Sequence, residues 1–307
     1  MTTLPPTTDA ATAASRERRA YAWMALASTL FATMNLLARL ATGHASWSLV
    51  AAVRALVGLA VAVAVARVRG RSLRVSDRRS MWMRSLLGTT AMGCTFLALS
   101  RPSLPLGDVV TLLNLGPVFL AALSPLVLGE RSGRRVWVAV PLAMAGVVLV
   151  MRPAAIFGGA VPREGAALTA AIALGGALAT ALAMMALRRL GPKESTEAIA
   201  IHFSATATVV FGALAAFDRG SPRLADLAPM LGAGVCAGFG QLAMTRAYTL
   251  GRAARVAAVG YLAVVVSAVY GAIALAELPP RTAWLGMALV IAGGLTVALP
   301  RAGDARR

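Results

Sequence analysis

Nine stretches of this chain carry no charged residue: 20–38, 85–100, 109–129, 136–151, 165–187, 198–217, 227–245, 256–276 and 282–300. A tenth, from Leu40 to Ala66, is interrupted only by Arg54, and every stretch is 16 residues or longer. At a rise of about 1.5 Å per residue, about 20 residues cross the ~30 Å hydrocarbon core of a bilayer. The two shortest runs reach that span when flanking arginines snorkel to the interface. Apolar character is continuous within each run and does not alternate, which excludes the strands of a transmembrane barrel. Charged residues make up 14% of the chain, well below the roughly 25% of soluble domains. The expected fold is an all-α polytopic membrane protein of ten transmembrane helices, its surface in contact with the lipid bilayer.

The pattern occurs twice. A shift of 147 residues places Glu130 on Glu277, Trp137 on Trp284, Ala145-Gly146 on Ala292-Gly293 and Pro153 on Pro300. Ala32-Thr33 fall on Ala179-Thr180 by the same shift. One offset holding from the first apolar run to the last marks an internal duplication. Five helices per copy is an odd number, so the second copy enters the membrane from the opposite side. The result is a pair of inverted five-helix repeats, an arrangement that in transporters encloses a substrate site at the repeat interface.

Charge sets the orientation. With the N-terminus inside, the inner segments carry 21 Lys/Arg and the outer loops 6, the bias expected of cytoplasmic loops. Both termini are therefore expected in the cytoplasm, in a multi-pass protein of the cell (inner) membrane, with Glu130 at the inner face and Glu277 at the outer. The same distribution explains the net charge of +18. Arginines spread over short loops do not make the continuous basic face that binds nucleic acid, so no nucleic-acid partner is expected.

Residues 1–19 are polar and rich in Pro, Thr and Ala, and read as a disordered cytoplasmic N-terminus. The first repeat covers 20–153, an external linker 154–164, the second repeat 165–300 and a cytoplasmic tail 301–307. All twelve acids fall in loops or at span ends, so there is no mid-membrane carboxylate of the kind that exchanges cationic drugs for protons. No phosphate-binding loop, Ser/His/Asp set, HExxH or paired carboxylates occur, and Cys94 and Cys236 have no metal or redox spacing. The chain is not expected to be an enzyme or to hold a metal or cofactor. Its symmetry suits a secondary transporter.

The segment GDVVTLLNLGPVFLAALSPLVLGERSGRRVWVAVPLAMAGVVLVMRP (107–153) resembles the EamA domain of the drug/metabolite transporter superfamily. A proline-bearing helix is followed by a Gly-Glu-Arg step and a helix ending in a Gly-Val-Leu-Leu-like run. Residues 261–300 resemble it again, with Val264 where Pro117 would be matched and Leu278 in place of Arg131. The resemblance implies a ten-helix bundle in which helices one, three, four, six, eight and nine line a central cavity. Helices five and ten lie to one side, where some relatives dimerise, and a homodimer is left open.

On the helices so implied, Asn35, Thr111, Asn114, Gln241, Tyr261 and Tyr270 are the candidate substrate-binding residues. Thr89 and Ser267 lie on the same set, and Thr33 is expected to lie outside the site. Hydroxyls can bond their own helix backbone, and amides can join helices, so each has a packing role as its alternative. Arg54, the one charge well inside a span, needs a partner. Either it clamps Asp108 or it attracts a substrate carboxylate. His202, in the equivalent seventh helix, is a candidate protonatable group or a neutral packing residue. Glu130 and Glu277 read as helix-end anchors, through Arg131 or Arg134 and through Arg281. The solutes that fit amides, hydroxyls and tyrosines are small neutral or zwitterionic metabolites such as amino acids, with export as the expected direction. The alternative is an uptake permease for a vitamin-like solute.

Overall fold

The computed structural model describes residues 7–70, 73–116, 118–120, 122–123, 134–151, 164–190, 194–218, 223–250 and 259–298. These form ten helices and, among the described residues, no strand. They are α1 (Thr7–Ala41), α2 (Trp47–Val68), α3 (Arg78–Leu99), α4 (Leu106–Leu113) and α5 (Arg134–Met151). The second half supplies α6 (Ala166–Leu190), α7 (Thr196–Phe217), α8 (Leu224–Leu250), α9 (Leu262–Ala274) and α10 (Arg281–Ala298). α1, α2, α6, α7 and α8 are long and apolar enough to cross a membrane, and α4, α5, α9 and α10 contain shorter apolar stretches. Glu130, Pro117, Pro125 and Arg131 lie outside the described residues.

Local chemistry sets the helix starts. Ser46, Asp77 and Ser195 cap α2, α3 and α7 by accepting from Leu49, Ser80 and Ala198 N–H at 3.3, 3.0 and 3.2 Å. One expectation needs correction. α1 begins at Thr7, so most of the segment read as disordered is helical. Its alanines favour helix and a Tyr21–Glu17 bond of 2.7 Å lies one turn apart on the same face.

The packing shows the inversion. α1 packs on α8 and α9, and α6 packs on their counterparts α3 and α4. α2 packs on α8 as α7 packs on α3, while α2/α7, α4/α9 and α5/α10 pair with their own equivalents. Gly240 lies against Leu30 and Phe31, and Gly176 against Cys94. Shifting the Leu30–Gly240 contact by 147 residues gives Gly93 with Ala177, one residue from the observed pair. α2 and α7 run antiparallel, tied by Ser48 to Asp218 at one end and by Arg69 to Glu197 (3.1 Å) at the other. Gly146 faces Val290 while Gly286 faces Val150, so α5 and α10 also run antiparallel. A Cβ at either glycine would stand 2.6 Å from the other's carbonyl oxygen, which is the close approach small residues permit in membrane bundles.

The core is built largely of alanine, with Phe96, Leu99, Leu106, Leu112 and Met230 among its larger side chains. Large apolar residues such as Val138, Val209, Leu214 and Leu285 point outward, as a lipid-facing surface requires. The end of the bundle at which α1 stops and α2 begins is called the upper end below.

Candidate substrate site beneath a buried ion pair

Four helix ends meet at one arginine. Arg39, in the last turn of α1 and 8% exposed, donates to Glu277 Oε1 at 2.6 Å. It also donates to the carbonyls of Leu99 (3.3 Å), Arg101 (3.0 Å) and Leu104 (2.9 Å), at the end of α3 and the turn into α4. The second oxygen of Glu277 accepts from Leu106 N–H at 2.6 Å, at the start of α4. The guanidinium fork suits this work, because its donors are held in one plane and satisfy several acceptors at once. Glu277 thus anchors its helix end, but through Arg39 and not through Arg281. The backbone directs it there. Ala276 has φ 53, and Glu277 N–H returns to Gly271 O at 2.9 Å. A left-handed alanine costs roughly 1–2 kcal/mol, and in exchange the chain turns back over α9 and presents the carboxylate to α1. Sequence reading left Arg39 unassigned. The signal available was an arginine two residues before a helix end, across from a glutamate at another.

Below this junction lie polar atoms with unfilled hydrogen-bonding capacity. Asn35 Oδ1 on α1, Thr89 Oγ1 on α3, Asp108 Oδ1 on α4 and Ser267 Oγ on α9 are buried without a partner. Buried polar atoms are normally bonded, and these four sit on the same four helices that Arg39 and Glu277 join. Of the candidates, Asn35 belongs to this set. Tyr270 is tied to α1 by a 3.2 Å bond between its phenol and Thr33 Oγ1. Thr33, expected outside the site, is therefore part of the α1–α9 seam. Gln241 is half-buried on α8 and directly follows Gly240, which packs on α1.

Others turn inward to their own backbone or to a neighbour. Thr111 Oγ1 donates to Gly107 O at 2.7 Å, and Asn114 Nδ2 to Val110 O at 2.8 Å. Asn114 also caps α4, where the helix gives way to a turn at Asn114 and Leu115. Tyr261 is buried and packs toward α10, its phenol filling the space in which a Cβ on Gly294 would sit.

Arg54 and Asp108 do not meet. α2 packs on α7, α8 and α3, and the Arg54 guanidinium reaches Met92 Sδ at 2.9 Å and the Phe203 ring at 6.0 Å. Asp108 instead lies one turn from the Glu277–Leu106 bond. His202 Nδ1 shares a 2.7 Å hydrogen bond with Ser85 Oγ, and its ring meets Trp82 edge-on at 4.6 Å. That places it in the α3–α7 seam. Among the described residues no cluster of His, Cys, Asp or Glu could hold a metal ion. A shallow upper-surface cleft of about 420 Å³, lined by Arg101, Pro102, Ser103, Glu164 and Gly165, contains none of the candidates.

Comparison with known proteins matches this architecture. The model of the EamA-like transporter family matches residues 18–152 and again 167–299. The chain is 28% identical over 273 residues to the pseudopaline exporter CntI of Pseudomonas aeruginosa, covering 89% of this chain and 90% of that protein. It is 25% identical over 276 residues to a riboflavin transporter of Vibrio cholerae, covering 88% and 89%. A riboflavin transporter of Rhizobium johnstonii is 23% identical over 277 residues, covering 90% and 89%. One solved crystal structure superposes with a TM-score of 0.66 at 20% identity, over 96% of this chain and 99% of that one.

Proposed function

The chain belongs to the EamA-like transporter family, and we propose that it is a secondary exporter of small neutral or zwitterionic organic metabolites, amino acids and their relatives among them. It works by alternating access of its two inverted halves. The observation that carries this reading is the exchange symmetry of the packing, in which every major helix contact has a counterpart in the other half. Two halves that can trade conformations convert a cavity open to one side into a cavity open to the other. The protein is an integral membrane protein, and the proposed setting is the inner membrane with both termini in the cytoplasm. On that orientation the upper end faces outward, and Arg39 with Glu277 holds it shut.

The solute then occupies the interior among Asn35, Tyr270 and Gln241, with Thr89 and Ser267 able to complete its hydrogen bonds. Direction follows the similarity to a pseudopaline exporter. Similarity to two riboflavin transporters favours the alternative, a permease for a vitamin-like solute. The test is flux in proteoliposomes of purified protein, with amino acids, riboflavin and sugars preloaded or supplied outside. Saturable movement of an amino-acid-like solute, weakened by Asn35→Ala, is expected. Selective movement of riboflavin supports the alternative, and absence of flux for every solute in a well-folded preparation overturns transport.

A further inference from the structure

Arg54 on α2 and Arg84 on α3 bring two guanidinium groups to one aromatic ring inside the membrane domain. Arg84 is 7% exposed, and its guanidinium carbon lies 5.0 Å from the centroid of the Phe203 ring. That of Arg54 lies 6.0 Å from the same centroid. The Nε atoms of both arginines are buried without a hydrogen-bond partner. Among the described residues the ion pairs are Arg39–Glu277, His44–Asp226 and Arg69–Glu197, so neither of these cations meets an acid. The acids near the lower ends of these helices are engaged elsewhere. Asp77 caps α3, Glu194 accepts from Ser76 and Asp77 N–H through Oε1, with Oε2 buried and unbonded, and Glu197 pairs with Arg69.

Arginine keeps its charge in any protein environment, and one at the centre of a membrane helix is costly even on insertion scales. The usual escape is to snorkel outward toward headgroups. Arg84 does the reverse. Side chains on a helix lean toward its N-terminus, which for α3 is the lower end, yet the Arg84 guanidinium folds up onto Gly88, one turn further along. A Cβ on Gly88 would collide with it and would stand 3.0 Å from Phe203. Arg54, from the upper part of α2, reaches Met92, one turn above Gly88. The two guanidiniums thus approach the same Phe203 ring at the α2–α3–α7 seam. Phe203 offers each a cation–π contact, which does not neutralise either charge.

An oxyanion between them would, because guanidinium forks match carboxylate and phosphate oxygens two at a time. We propose that Arg54 and Arg84 form a carboxylate-recognition site beside Phe203, separate from the interior among Asn35, Tyr270 and Gln241, so that the transported solute is a metabolite bearing a carboxylate. The proposal rests on the transport reading and narrows its substrate class. The same chemistry could come from the phosphate of a lipid headgroup, but the Arg84 guanidinium folds onto Gly88, away from the lower face, which favours the solute.

The test is thermal unfolding of the full chain in uncharged detergent, with succinate, its uncharged diamide, or phosphatidylglycerol added. Succinate should raise the midpoint by several degrees, since a ligand that binds only the folded state stabilises it. The diamide should not. The rise should vanish in Arg54→Gln and Arg84→Gln and return in part in Arg84→Lys. Without succinate, both glutamine variants should unfold at or above the wild-type midpoint, because each removes a charge that pairs with no acid among the described residues. Variants that unfold well below wild type, a succinate shift that survives both changes, or stabilisation by phosphatidylglycerol alone would each overturn the proposal. A protein that moves solutes in liposomes but shows no succinate shift loses this site and keeps the transport reading. One that binds succinate yet moves nothing keeps the site and loses transport.

Discussion

Replacing Arg39 tests whether the upper end is held by one residue. Arg39→Ala removes four hydrogen bonds, to Glu277 and to the carbonyls of Leu99, Arg101 and Leu104. It leaves the Glu277 carboxylate, 17% exposed, with Leu106 N–H as its remaining bond. Breaking a buried pair from one side costs about 3–5 kcal/mol, because the survivor stays desolvated and uncompensated. Glu277→Gln is milder. Arg39 keeps its three carbonyls, and the loss is the charge-assisted part of one bond, about 1.5–3 kcal/mol. In the double variant no carboxylate is stranded, so its loss should fall short of the sum of the single losses by more than about 1 kcal/mol. The measurement is reversible unfolding in mixed micelles for all four proteins. A second readout is functional. With Cys94 and Cys236 changed to alanine, a cysteine in place of Asn35 should react faster with a polar thiol reagent applied outside once Arg39 is gone. Additive losses, or labelling unchanged by Arg39→Ala, would refute the latch.

Four further outcomes follow from the geometry. Reporters fused after Arg79 and near Gly159 should read cytoplasmic and external respectively, and reporting from the same side would remove the inverted five-plus-five arrangement. Gly146→Leu should cost about 1–3 kcal/mol by overpacking the α5–α10 crossing, whereas Gly212→Ala, with open space around it, should unfold like wild type. Ala276→Gly should leave the fold intact and raise its stability by up to about 1 kcal/mol, since glycine adopts the left-handed conformation without a Cβ clash. Tyr270→Phe and Thr33→Val should each cost no more than about 1.5 kcal/mol and, combined, little beyond either alone. A large change in half-saturation for flux with unchanged stability would instead place Tyr270 on the solute.

The fold was legible because a bilayer makes few demands and makes them everywhere. Long charge-free runs, a single offset of 147 residues and an arginine bias specify helix number, duplication and inversion without any long-range contact being known. The site was less legible, because it depends on which face each polar residue turns inward. Thr111 and Asn114 sit on the expected helix, but their side chains bond back to Gly107 and Val110, and no periodicity distinguishes that from facing a solute. Arg54 reads as a charge in need of a partner, either Asp108 or a substrate carboxylate, and Asp108 is not what it meets. Asp108 is near in membrane depth, but α2 packs on α3, α7 and α8, so the cation ends beside Met92 and Phe203. Glu277 was read as an anchor, with the wrong arginine. Arg281 is close in sequence, whereas the left-handed turn at Ala276 points the carboxylate at α1.

Symmetry sharpens the meaning of that anchor. If the two halves exchange conformations, every feature closing the upper end has an equivalent position at the lower end. The shift that carries Glu130 to Glu277 carries Arg39 to Ala186, a buried alanine on α6. Both glutamates are present, but only one has an arginine at the matching place in the partnering half. At the position matching Arg39 the second half therefore does not repeat the latch residue. Where the duplicated sequence differs, as at Arg39 and Ala186, two states that would be equal in a perfectly repeated chain need not be. The sign is fixed: Arg39 stabilises the state closed at the upper end, so its removal should shift the population toward the state open there. A buried charged pair worth a few kcal/mol is enough to move such an equilibrium by a factor of ten or more.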